Sequence, residues 1–204
     1  SGWFSWLRDG EALSGAISEA EFEALALGMD MANDNLAVAE SALSRMDVQV
    51  AWGHLKDADF PLFVGHYEGD GIFGAERSVD EYYGKRLSDV HRSGLYPGAI
   101  GSHRVFYERS EAGEVQTAVV VGLGEIGSLN ATMLQRTVCD AVIGFAIRNA
   151  ERRALQRSGS APLAARGLSF LLIGSTAGSL SVREVGRSIL QGVLDARKAM
   201  KDEP

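Results

Sequence analysis

The sequence predicts an α/β domain: a mixed sheet, largely parallel, layered between helices in a three-layer α/β/α arrangement. Short β-branched and aromatic runs alternate with stretches of helical periodicity from Asp47 onward. Two of the runs, residues 115–121 and 168–173, are almost continuously apolar, as strands covered on both faces are. Glycine-rich turns stand where strands hand over to helices. At 204 residues, 46% hydrophobic and 23% charged, the chain has the composition of a globular domain with a substantial core.

Residues 1–46 read as a helical extension. Phe22, Leu25, Met29, Ala32, Leu36, Ala39 and Leu43 recur at intervals of three and four, and Ser18 with Glu21 has the form of a capping box. Trp3 and Trp6, ahead of this segment, read either as a staple onto the core or as a docking surface. The α/β domain is expected over residues 47–204. Strands are predicted over 48–55 and 61–67, a helix over 75–83, and a second short helix over 86–92. Leu95-Tyr96-Pro97-Gly98 is a turn by composition. Strands follow over 103–109 and 115–121, joined by a turn at Glu111-Ala112-Gly113. A long helix is predicted over 129–157, with Met133, Val138, Val142, Phe145 and Ile147 among its apolar positions. A loop over 158–166, a strand over 168–173 and a helix over 182–200 complete the order β-β-α-β-β-α-β-α.

A net charge of −7 gives no general attraction to phosphate backbones, so nucleic acid is not expected as a partner. Arg148, Arg152, Arg153, Arg157 and Arg166 form either a local basic patch or the solvated end of the long helix. The single cysteine, Cys139, rules out an intrachain disulfide and points to a reducing compartment. No signal peptide is recognised at the start and no apolar run reaches membrane-spanning length, so a cytoplasmic chain without membrane contact is expected. The Ser-Gly start reads as a processed or excised end.

Three glycine-rich turns are the candidate binding elements: Gly69-Asp70-Gly71-Ile72-Phe73-Gly74, Gly122-Leu123-Gly124-Glu125-Ile126-Gly127, and Gly174-Ser175-Thr176-Ala177-Gly178-Ser179. In a parallel sheet such turns gather beyond the carboxyl ends of the strands, and free N–H groups at helix starts suit an anion. Alternatively they are structural turns. A dinucleotide fingerprint fails on context, because the chain stays helical where the acidic strand end should follow. A Walker loop fails because no Gly-Lys-Ser/Thr is present.

The four histidines, His54, His66, His91 and His103, show no metal-ligand spacing, and no metal or cofactor is expected. Cys139 with His91 makes a poor nucleophile–base pair, since the cysteine sits in apolar helical company. His66 and Asp70 bracket the first glycine turn, as an acid–base pair or as a hydrogen-bonded loop anchor.

The segment from Asp59 to Gly127 resembles a macro-type domain. Asp59-Phe60-Pro61-Leu62-Phe63-Val64-Gly65-His66, the first glycine turn, and Val119-Val120-Val121-Gly122-Leu123-Gly124 are closest to the macro-like N-terminal domain of leucyl aminopeptidases. Gly94-Leu95-Tyr96-Pro97-Gly98 is similar to segments of large bacterial proteins that carry caspase-like (CHAT) peptidase domains. The resemblance implies a three-layer fold and a ligand related to ADP-ribose, with Asp59 at the adenine and the turns Gly69–Gly74 and Gly122–Gly127 at the phosphates. The asparagine-rich strand end of the hydrolysing members is replaced by Gly65-His66-Tyr67. The expectation is a non-catalytic binding or regulatory module of a larger bacterial regulatory or defence protein. Its partner would be a nucleotide-like small molecule, or other domains or subunits. The alternative is a hydrolase of a nucleotide or ADP-ribosyl substrate.

Overall fold

A computed structural model describes residues 2–5, 46–55, 58–109, 115–155, 167–175 and 180–202. Six strands, β1 (Gly2–Ser5), β2 (Gln49–Trp52), β3 (Leu62–His66), β4 (His103–Arg109), β5 (Val115–Gly122) and β6 (Ser169–Leu171), form one sheet in the order β2-β1-β6-β3-β5-β4. The helices are α1 (Gly74–Tyr82), α2 (Arg86–Arg92), α3 (Ala131–Leu155) and α4 (Val182–Asp202). The fold is α/β with a mixed sheet, as the alternation of elements predicts.

Only the centre of the sheet is parallel. β3 runs parallel to both β5 and β6, whereas β4 is antiparallel to β5, and β1 is antiparallel to both β6 and β2. The parallel part is thus narrower than the alternation implies. A connection of only five residues, 110–114, joins β4 to β5, too short for a crossover, and it enforces the antiparallel pair. The helical reading of residues 1–46 does not hold at Gly2–Ser5, which sits between β2 and β6 in the sheet. Four residues are too few to display a period, and the partners lie dozens of positions away. The capped helix expected between Ser18 and Arg45, Trp6, and the turns expected at 111–113 and 158–166 lie outside the described residues.

Alternation along β3 sorts the two faces. Phe63 stacks on Phe170 at 4.4 Å and meets Phe145 of α3 edge-on at 6.0 Å. His66 points to the opposite face, where α1 and α2 lie. β4 obeys the same rule. His103 and Tyr107 face α3, against Gly144 and Arg152, while Phe106 packs toward Tyr96 on the other side. Helices therefore cover both faces, and α4 packs on α3.

The buried stripe of α3 is Leu134, Thr137, Val138, Ala141, Val142 and Phe145, a helical period in phase with β4 and β5. Met133 and Ile147, expected among its apolar positions, are exposed. They sit one and two positions out of phase with that stripe. α4 answers with Val185, Ile189, Leu190, Val193 and Ala196. Gly192 brings the two helix backbones close, since a Cβ there would lie 2.5 Å from the Gln135 carbonyl oxygen.

Candidate functional site: a cleft at the carboxyl end of the sheet

Because β3 and β5 are parallel, the turns that follow them emerge at the same edge. After β3, Gly69 takes a positive φ of 78°, and the Asp70 amide donates to the Tyr67 carbonyl at 3.2 Å. The Gly71 amide donates to Asp70 Oδ1 at 2.9 Å. Ile72 packs against the core, Phe73 is exposed, and Gly74 opens α1.

The second turn is built differently. The amides of Gly122, Leu123 and Gly124 donate, each at 2.8 Å, to the carbonyls of Ser102, His66 and Gly98. A Cβ at Gly122 would lie 2.3 Å from the Ala99 carbonyl oxygen, so glycine here admits the chain at 98–102 at close range. These three amides are therefore committed to neighbouring backbone and do not form an open anion cradle. Glu125, Ile126 and Gly127 are exposed in the following turn, outside the cleft wall. In the third turn, Gly174 is buried with φ 87°, and residues 176–179 lie outside the described residues. Asp59 is exposed ahead of the amino end of β3. The adenine-side carboxylate implied by the macro resemblance thus stands at the edge opposite the glycine turns.

The structure instead forms a cleft of about 1010 Å³ between residues 68–70, the chain at 94–99 and the first half of β4. His66, His91 and Tyr96 line it and are part of a network in which His66 is buried and the other two are half-buried. His66 Nδ1 lies 3.0 Å from Glu76 Oε2, and the Tyr96 hydroxyl donates to Glu76 Oε1 at 2.7 Å. The His66 and Tyr96 rings meet edge-on at 4.7 Å, and His91 completes the group at 5.7 Å and 5.6 Å from them. His91 Nε2 donates to the Asp70 carbonyl at 3.0 Å, fastening the first glycine turn to α2. Beneath lies Asp80, 1% exposed, which accepts from the backbone and hydroxyl of Ser88.

Burial raises the pKa of the Tyr96 phenol, and the Glu76 charge and hydrogen bond raise it further, so the phenol stays a donor. Glu76 is 8% exposed and His66 4%. A carboxylate this deep is tolerable because both its oxygens are hydrogen-bonded.

The rim has another character. Arg104 and Arg148 stand with the carboxylates of Glu68 and Asp70 around the cleft, and His66, His91 and His103 add three imidazoles to its lining. Arg104 reaches the Leu95 carbonyl at 3.2 Å, and Arg152 lies 4.4 Å over the Tyr107 ring. The arginine-rich end of α3 is thus divided: Arg148 faces the cleft, Arg152 covers Tyr107, and Arg157 and Arg166 lie outside the described residues. His103 Nδ1 and the Tyr107 hydroxyl are buried without a protein partner.

Of the sequence candidates, the cleft gathers His66, Gly69 and Asp70. The carboxylate that engages His66 is Glu76, not Asp70. Sequence reasoning does not single out Glu76 and Tyr96 as site residues; their signals are an acid in the first turn after a glycine loop and an aromatic inside a Gly/Pro turn. Cys139, the partner that the sequence offers His91, lies on α3, across the sheet. Burial, then Asp140 and Asp195, push the Cys139 thiol pKa up, away from a reactive thiolate. Among the described residues no cluster of three or more His, Cys, Asp or Glu could hold a metal ion, and no helix is long and apolar enough to cross a membrane. In comparisons with known proteins, no family model and no curated protein matches the chain.

Proposed function

We propose that this chain is a non-catalytic, macro-like binding module that takes an anionic, nucleotide-like small molecule in the cleft between residues 68–70 and 94–104. One observation carries the reading: an open cleft with two arginines on its rim over a floor of aromatic and imidazole rings, two of them hydrogen-bonded to Glu76. Arg104 and Arg148 supply long-range attraction, and the Tyr96 and histidine rings offer faces and edges for a base or sugar. The resemblance to segments of CHAT-containing proteins supports a setting in a larger bacterial regulatory or defence protein. The lone cysteine supports a cytoplasmic one.

Thermal unfolding with ADP-ribose, ADP and AMP at millimolar concentration tests this. A ligand at a hundred times its Kd stabilises by about 2.7 kcal/mol, a rise in Tm of roughly 5–10 °C for a chain of this size. Loss of that rise in the Arg104→Ala and Arg148→Ala double variant is the expected companion result. No shift with any of the three would end the reading.

The His66–Glu76 pair favours a second reading, hydrolysis of a nucleotide or ADP-ribosyl substrate, because a carboxylate-oriented imidazole is suited to take a proton from water. Asp70, the partner expected from sequence, instead offers its backbone carbonyl to His91. Turnover that persists in both His66→Asn and Glu76→Gln would overturn this second reading.

A further inference from the structure

Two imidazoles in the cleft have their proton positions set by the fold. Glu76 already accepts the Tyr96 hydroxyl on Oε1, and its Oε2 faces His66 Nδ1 at 3.0 Å, so Nδ1 carries the hydrogen. In the neutral ring, Nε2 of His66 is then a lone-pair acceptor. His91 is fixed in the opposite sense. Its Nε2 faces the Asp70 carbonyl oxygen, which only accepts, so Nε2 carries the hydrogen and Nδ1 is the acceptor. Both rings line the same cleft with centroids 5.7 Å apart. The ring edges are thus near enough for one small ligand to reach both.

We propose that this pair is a hydroxyl-reading site: His66 Nε2 and His91 Nδ1 accept hydrogen bonds from adjacent hydroxyls of a ligand, as in the cis-diol of a ribose. The inference rests on the binding reading above and specifies the part of the ligand that the floor recognises. Arg104 and Arg148 on the rim then meet the anionic part of the same molecule. A site built to accept a hydroxyl proton discriminates against an analogue lacking it, because its acceptor is left unpaired on binding. Free sugar phosphates and ribonucleotides share the diol, and the base is what separates them.

Calorimetric titration of the full chain at pH 8 with ADP, 2′-deoxy-ADP, 3′-deoxy-ADP and ribose 5-phosphate tests the assignment. Each missing hydroxyl is expected to weaken binding roughly tenfold. Binding of ribose 5-phosphate as tight as that of ADP identifies a sugar phosphate as the ligand class; tighter binding of ADP identifies a nucleotide. Two variants separate recognition from structure. His66→Asn places an amide N–H where Nδ1 meets Glu76, and His91→Gln places one where Nε2 meets the Asp70 carbonyl. Each keeps the anchoring hydrogen bond and removes the ring nitrogen that accepts from the ligand, the amide oxygen standing elsewhere. Both are expected to bind the ribo and deoxy forms within about twofold of each other. Equal binding of ribo and deoxy forms by the unaltered chain overturns the hydroxyl-reading site and leaves the binding reading standing. So does discrimination that persists in both variants. Failure of all four probes to bind overturns both.

Discussion

Glu76 accepts from the His66 imidazole and the Tyr96 phenol at once, and both Glu76 and His66 are buried. Glutamine in its place offers one acceptor and one donor where two acceptors are needed, so one of the two buried donors loses its partner. Glu76→Gln is therefore expected to cost about 1–3 kcal/mol of stability, measured as the urea midpoint at neutral pH. An unchanged midpoint would show that the network is not structural. Gly192 makes the complementary point. In an exposed helix interior, Gly→Ala gains roughly 0.5–1 kcal/mol. Here the added Cβ meets the Gln135 carbonyl oxygen at 2.5 Å and Val138 at 2.9 Å. Gly192→Ala is expected to destabilise by about 1–3 kcal/mol, the reverse of the propensity effect, by the same urea measurement.

At the level of single elements, α4 has the most explicit start signal. Ser181 Oγ accepts from the Glu184 amide at 3.2 Å, and Glu184 Oε2 accepts from the Ser181 amide at 2.8 Å and from its hydroxyl at 2.6 Å. This is a capping box. Ser181→Ala is expected to lower Tm by roughly 2–4 °C, read by circular dichroism. The hydroxyl bond and then the backbone bond from Ser181 hold the Glu184 pKa below its ordinary value. A depressed folded-state pKa contributes stability above the unfolded carboxylate pKa and loses it as pH falls through the folded value. Stability profiles of the unaltered chain and Glu184→Gln should therefore converge below that value and separate above it. Parallel profiles across the acid range would count against the cap.

For the whole molecule, a strand of four residues is decisive. β1 supplies the only strand between β2 and β6 in the sheet order, so everything beyond β6 on that side hangs on four residues. Deleting residues 1–5 should leave the β6 edge unpaired and β2 without its neighbour. The expected result is a Tm several degrees lower, together with concentration-dependent association in light scattering; a fully stable monomer would show that β1 is dispensable. The nucleotide titrations belong to this scale too, because the cleft is assembled from the carboxyl end of β3, the first half of β4, the last turn of α2 and one arginine of α3.

Local signals in the chain were sufficient for most elements. Apolar runs marked β3, β5 and β6, helical periods marked α3 and α4, and Gly/Pro chemistry marked the turn at 95–98. These are short-range properties, set within a few residues of where they act. They also placed His66, Gly69 and Asp70 at the carboxyl edge of the sheet. Three matters were settled only by tertiary contact. The Gly122–Gly124 amides bond to strands and loops distant in sequence, which closed the anion cradle that their glycines suggested. Gly2–Ser5 became a strand because partners more than forty positions away were there to pair with it. Glu76 became the partner of His66 because α1 folds back over β3 and places its first turn 3.0 Å from that ring. Hydrogen bonds between residues remote in sequence leave no period or composition to read, and at this site they decide which groups face the ligand.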